Sequence, residues 1–350
     1  MNTNSAPDDA DDPIEYFLTD IAFQGKSERT QEAYERVLRD FEASLEETAS
    51  LDNVTHRDCM AWIHGQRDSH ADSTIATYAS YLHRFYSYMT QVGVFESNPM
   101  ALVVEELDET IDTDPARRDV SVERMRQFAA QITHPFERAI VVTLLKTGMR
   151  VGELCNLDQR DLHLAVDPRT DVTIRPALEG RPNSLYVSSD PTRGKSTHGE
   201  VRSASNKRRR DTVIPVDEDL AATLRAWLDI RPDPVSDAKP LFTSTGDNWG
   251  QRVTTATVHH VVTTHARDWG WYTEGGGVEE NVTPHYFRHF FTTHLRDRTG
   301  DRGIVKYLRG DVAQDVIDTY THDWGSRVRE VYETHMYALP IPTHRRRTNV

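Results

Sequence analysis

Fifteen consecutive residues, Glu105 to Asp119 (EELDETIDTDPARRD), hold almost nothing apolar, and they part a 350-residue chain into two stretches that each carry helical periodicity. A segment with so little to bury reads as an exposed linker, so the chain must build two cores rather than one. The boundaries follow: an acidic leader over 1–11, a helical domain over 12–103, a linker over 104–119, a second domain over 120–340 and a tail over 341–350. A 37% hydrophobic share suffices for both cores. No apolar run approaches the roughly 20 residues of a membrane span. The polar start MNTNSAPDDADD is no signal peptide, so a cytoplasmic protein is expected. Cys59 and Cys155 are the only cysteines, which excludes a disulfide framework or a cysteine-rich zinc site.

The first stretch predicts four helices. Asp12-Pro13 supplies a cap and a first-turn proline ahead of Ile14, Phe17, Leu18 and Ile21 on one stripe. Ser27 caps a second helix carrying Tyr34, Val37, Leu38, Phe41 and Leu45. A third runs from about Thr55, and a fourth after Ser73 carries Ile75, Tyr78, Leu82, Phe85 and Met89 and stops at Gly93. Asn98-Pro99 closes this small all-α domain. Beyond the linker, helices are expected from Ser121, over 135–146, 220–230, 254–269 and 284–296. Short β-type runs stand at Val172–Ile174, Leu185–Val187 and Val213–Val216. The fold class is mainly α with a small antiparallel sheet: an all-α N-terminal domain followed by an α+β domain.

Charge bears on the partner. Asp and Glu number 55 against 41 Lys and Arg, a net −14, which taken alone argues against nucleic acid. Yet the lysines are only Lys26, Lys146, Lys195, Lys207, Lys239 and Lys306, and the remaining basic residues are arginine. An acidic, lysine-poor surface resembles that of proteins from extreme halophiles, where salt screens self-repulsion. Local clusters must therefore decide.

Three local patterns carry chemistry. In Thr147-Gly-Met-Arg-Val-Gly-Glu153, a glycine turn after a buried helix sets Arg150 on the next helix's first turn, with Glu153 three residues on. In Thr283-Pro-His-Tyr-Phe-Arg-His289, Pro284 opens a helix that puts His285 and Arg288 on one face. A His285/His289 metal pair would lack both a glutamate and a third ligand. In Tyr307 to His322, a short helix pair ends near Tyr320. Alone, each has a bland reading: a surface ion pair, a capped helix, a core tyrosine.

Their order and distances resemble the tyrosine recombinases, or phage integrases, over nearly the whole chain. Region 12–103 is similar to that family's core-binding domain and 118–340 to its catalytic domain. The resemblance implies that Arg150, His285 and Arg288 serve the phosphate, that Tyr320 is the nucleophile, and that Glu153 is the acidic companion of Arg150. It puts the hairpin lysine on Lys207, because Lys207 to Pro215 keeps the spacing of the family's K-G-x-K-x-R-x-x-P. Lys195 is the fallback. One departure stands out: where the family carries histidine or tryptophan nine residues before the tyrosine, this chain has Asp311. An aspartate there would repel phosphate unless paired with an arginine or histidine, and is expected to orient His285 or Arg288.

The physical chemistry agrees. A tyrosine hydroxyl with a pKa of about 10 needs a base. Two guanidiniums suit the charge gained by a phosphodiester in its transition state. Neither ATP nor a metal is called for, so no cofactor is expected. The run Asn206 to Arg210, with Arg193, Lys195 and Arg202 upstream, makes a cationic arm in which Arg193, Lys195, Arg202, Arg208, Arg209 and Arg210 are expected to contact DNA phosphates. The resemblance implies double-stranded DNA as partner, a monomer in solution, and a tetramer on paired sites. The amphipathic stripe Trp324, Val328, Val331, Tyr332 and His335 would then dock on a neighbouring copy. Two other functions share these residues: a degenerate homologue that grips DNA without cutting, and a type IB topoisomerase.

Overall fold

The computed structural model describes residues 12–46, 50–107, 116–169, 172–311 and 324–339. The chain divides into two compact units, Met1–Pro115 and Ala116–Val350.

The first unit is helical: α1 (Pro13–Phe23), α2 (Glu28–Ala43), α3 (His56–Gln66), α4 (Asp72–Gln91) and α5 (Met100–Glu106). Asp12, Ser27 and Thr55 each accept backbone N–H bonds as caps, and Thr55 and Asp58 form a reciprocal capping box. Phe17, Leu38, Phe41, Leu82, Phe85 and Met89 are fully buried between these helices. The fifth helix is an addition to the sequence reading. Asn98-Pro99, read there as a stop, is a start: the Asn98 carboxamide oxygen accepts the Met100 N–H at 2.9 Å, and proline favours a first turn.

In the second unit, α6 (Val122–Gln131), the almost wholly buried α7 (Pro135–Thr147) and the short α8 (Val151–Cys155) lead into strands β1 (Leu162–His163), β2 (Ser184–Val187), β3 (Ser196–Thr197), β4 (Glu200–Val201) and β5 (Thr212–Pro215). An antiparallel sheet in the order β1-β2-β5 pairs Leu185 with Leu162 on one side and Ile214 on the other, while β3 and β4 form a separate hairpin. Helices α9 (Glu218–Leu228), α10 (Thr255–Asp268), α11 (Pro284–Thr299), α12 (Arg302–Arg309) and α13 (Trp324–His335) complete the unit. The run Val172–Ile174 forms no strand; the sheet's third member is β1, whose two residues are too short to show any period.

Helix α13 packs on its own unit. Val328, Tyr332, Tyr337 and Leu339 are buried there. The Tyr332 hydroxyl donates to the Lys146 carbonyl at 2.8 Å, and that of Tyr337 donates to the Leu145 carbonyl. The fully buried Lys146 ammonium donates to Asp217, to Asp219 at 3.0 Å and to the Tyr337 carbonyl at 2.6 Å. Helix α13 and the segment after it therefore cap the carbonyl end of α7.

Candidate active site

The site grows from the end of α7. Gly148 turns the chain with φ of 60°, and a Cβ there would sit 2.3 Å from the Phe291 ring, so only glycine fits. Arg150 follows at the N-cap of α8. Its N–H donates to Glu153 Oε2 at 2.9 Å and its Nη1 to Glu153 Oε1 at 3.2 Å. Glu153 is wholly buried, so this pair is a fixed anchor rather than a surface contact.

Helix α11 brings the second arginine. Pro284 starts it, His285 is exposed, and Arg288, one turn on, is 3% exposed. Arg288 Nη1 donates to the Gly148 carbonyl at 2.8 Å, and both terminal nitrogens reach the Arg309 carbonyl. The turn bearing Arg150 and the end of α12 are thus joined through one guanidinium.

Asp311 stands at the centre. After Gly310 ends α12 with φ of 72°, the Asp311 Oδ1 accepts Nη2 of Arg150 and Nη2 of Arg288, each at 2.8 Å. Arg309 pairs with its other oxygen at 2.9 Å. Burial raises the Asp311 pKa, but Arg288, Arg309 and Arg150 outweigh it and hold the carboxyl below the usual range. Asp311 is ionised, and it orients Arg150 and Arg288; no hydrogen bond or ion pair to His285 accompanies these contacts among the described residues. His285 has a lowered pKa, through loss of hydration first and then the fields of Arg117, Arg288, Arg309 and Arg150, which favours a neutral imidazole.

The cationic arm is split by burial. Arg193, Lys195, Lys207 and Arg209 are exposed, and Arg210 lies over the Tyr307 ring at 5.6 Å. Arg202 and Arg208 are corrections, since both are buried and neither is free for DNA. Arg202 pairs with Asp158, which also takes Arg252 and His198. Arg208 pairs with Glu153 at 3.1 Å and donates to the Leu308 carbonyl at 3.0 Å. A run of like charges does not reveal which members meet a buried carboxylate. Tyr320 lies outside the described residues. Of its neighbours, Tyr332 is unsuited to attack: burial pushes its pKa well up, and its proton is held by a carbonyl. Among the described residues no group of three or more His, Cys, Asp or Glu could hold a metal, and no helix is long and apolar enough to cross a membrane.

The sequence reading missed Arg309 and Arg117. Arg309 was discoverable, two places before Asp311 in Leu308-Arg-Gly-Asp. Arg117, inside the polar run, gave no signal. The Tyr286 hydroxyl bonds the Arg118 carbonyl at 2.7 Å and so fastens that segment beside α11.

Comparison with known proteins gives the family. Residues 14–93 match the phage integrase N-terminal SAM-like domain, and residues 188–326 match the phage integrase family. The chain belongs to the phage integrase family, the tyrosine recombinases. Tyrosine recombinase XerC of Thermodesulfovibrio yellowstonii is 26% identical over 335 residues, covering 91% of this chain and 94% of that protein. Tyrosine recombinase XerD of Listeria innocua is 22% identical over 340 residues, covering 92% and 96%. The recombinase fold recurs in the Tn1549 transposon integrase in complex with a circular intermediate DNA, with TM-score 0.64 and 19% identity over 91% of this chain and 98% of that one. A lambda integrase dimer bound to a COC′ core site gives 0.58 and 17% over 91% and 76%. Within the recombinase, His285, Arg288, Asp311 and Lys207 fall inside the matched catalytic stretch, and Arg150 lies upstream of it.

Proposed function

We propose that this recombinase performs site-specific strand exchange on double-stranded DNA through a 3′-phosphotyrosine, with Tyr320 as nucleophile. The observation that supports it most is the convergence of Arg150 and Arg288 on a single anionic oxygen at 2.8 Å. A non-bridging phosphate oxygen in that place would be held as the Asp311 oxygen is. The tyrosine oxygen attacks phosphorus, its proton passes to neutral His285, and the bond to the 5′ oxygen breaks as Lys207 protonates that oxygen. The two guanidiniums offset the charge gained in the five-coordinate state, typically worth a few kcal/mol each. The phosphotyrosine conserves the bond energy, so religation needs no ATP.

Exposed Arg193, Lys195 and Arg209, with the half-buried Arg210, contact flanking phosphates in this reading. The protein is a monomer in solution and a tetramer on paired sites, in keeping with the lambda integrase tetramer bound to a Holliday junction. Its lysine-poor, acidic composition fits a high-salt source, so activity is expected to persist in molar potassium chloride. The deciding experiment is a suicide DNA substrate, on which Tyr320→Phe binds normally and forms no covalent adduct. An adduct on Tyr320→Phe defeats the assignment. Strand exchange between two duplexes separates recombination from supercoil relaxation, and cleavage lost in Lys195→Ala but kept in Lys207→Ala would move the proton donor.

A further inference from the structure

Lys207 is exposed, but the residues on either side of it are locked. Before it, the Asn206 carboxamide donates to the Ser188 carbonyl at 2.7 Å and accepts from Asn156 at 2.8 Å, while its N–H donates to the Pro191 carbonyl at 2.7 Å. After it, Arg208 runs inward with a fully buried side chain. It meets Glu153 at 3.1 Å and the Leu308 carbonyl at 3.0 Å, and the Arg209 N–H donates to the Gly310 carbonyl at 3.1 Å. The packing has no slack on either side. A Cβ on Gly310 would lie 2.6 Å from the Arg208 chain, and one on Gly152 would lie 2.7 Å from the Ser205 carbonyl.

Glu153 is the carboxylate that also holds Arg150, and Gly310 precedes Asp311. Arg208 therefore ties three parts of the site together. In the K-G-x-K-x-R-x-x-P pattern a glycine follows the lysine, a residue that would leave the loop free to swing. Here a buried arginine takes that place, and withdrawing it would leave the buried Glu153 charge with Arg150 as its one remaining arginine partner.

We propose that Asn206 and Arg208 are positioning residues that hold Lys207 docked beside the Arg150 turn before DNA arrives. This rests on Lys207 as the proton donor. Its advantage is preorganisation: the donor loses its freedom on folding rather than at the moment of cleavage.

A 5′-bridging sulfur isolates the effect, because a thiolate leaves without being protonated. Single-turnover cleavage is measured on oxygen- and sulfur-bridged suicide substrates for Lys207→Ala, Asn206→Ala and Arg208→Gly. Asn206→Ala and Arg208→Gly should each lose about tenfold or more on the oxygen substrate, short of the full loss in Lys207→Ala, and under about threefold on the sulfur substrate. If Lys207→Ala itself is not rescued by sulfur, the assignment of Lys207 fails. If Lys207→Ala is rescued while the two variants stay slow on both substrates, or cleave the oxygen substrate at full rate, the positioning role is overturned. Should Arg208→Gly fail to fold by thermal melting, Asn206→Ala decides alone.

Discussion

Arg150 and Arg288 donate to the same oxygen, Oδ1 of Asp311, each across 2.8 Å. Two guanidiniums this close repel each other strongly in a partly buried site, and a shared anion relieves that repulsion. The protein carries this anion in its own chain. The two guanidiniums are thus already drawn together in the folded protein, and under the proposed function a phosphate entering there would exchange with a carboxylate rather than with water.

Asp311→Asn should loosen the protein and tighten its hold on phosphate. The folded Asp311 pKa lies below the ordinary carboxylate value, so its stabilisation is complete above that value and is lost as pH falls through the folded pKa. The asparagine variant should lose about 1–3 kcal/mol at neutral pH and show no such acid-side loss. Inorganic phosphate should bind about tenfold more tightly, because the internal competitor has no charge. Urea unfolding at several pH values and phosphate titration check both. Unchanged phosphate affinity would mean that the carboxylate does not occupy the phosphate's place.

Removing either arginine should slow cleavage at saturating DNA by two or more orders of magnitude. Arg288→Ala should also destabilise the protein more than Arg150→Ala, since it deletes a buried bridge between α7, α11 and the end of α12, whereas Arg150 is partly exposed. Cleavage rates that hold at saturation, with only binding weakened, would make these arginines anchors for DNA rather than for the transition state.

His285 should be neutral through the working range, with the acid limb of cleavage falling below its ordinary pKa of 6.5. Arg117 lowers that pKa, together with Arg288, Arg309 and Arg150. Arg117→Gln should therefore move the limb to higher pH while changing the plateau rate less. A pH profile of single-turnover cleavage measures it, and a limb that does not move removes His285 from the proton path.

Truncation after Arg327 should unfold the second unit, because it removes Val328, Tyr332, Tyr337 and Leu339 from the core. The gentler Tyr337→Phe deletes one buried hydroxyl bond to the Leu145 carbonyl and should cost about 1–2 kcal/mol. Urea unfolding reads both. A stable truncated protein would show that the tail is not needed by its own unit.

Much of the fold was legible because caps and apolar stripes are local. Ser27, Thr55 and Ser121 announce their helices in the sequence, and each caps one in the structure. Asn98-Pro99 misled because a proline that ends one helix also begins another. The strand expected at Val172–Ile174 failed because three β-branched or threonine residues describe a propensity without a partner. Of the residues singled out by spacing, Arg150, His285, Arg288 and Asp311, the structure brings Arg150, Arg288 and Asp311 into hydrogen-bond contact. The fate of Arg202 and Arg208 was not legible, because whether an arginine faces solvent or a buried carboxylate depends on residues far away in the chain. Asp158 lies 44 positions from Arg202.

The Lys146 bolt has a consequence for the order in which the molecule is made. Lys146 is buried against Asp217, Asp219 and the Tyr337 carbonyl, and Leu339 closes on Asp219 through its N–H at 2.6 Å. During synthesis the chain emerges from its N-terminal end, and domains fold as they become available. The first unit has every core residue it needs once Val103 is out. The second cannot seal the end of α7, and with it the turn that aims Arg150, until residue 339 has left the ribosome. A nascent chain therefore holds its helical first unit long before the turn that bears Arg150 is fixed in place.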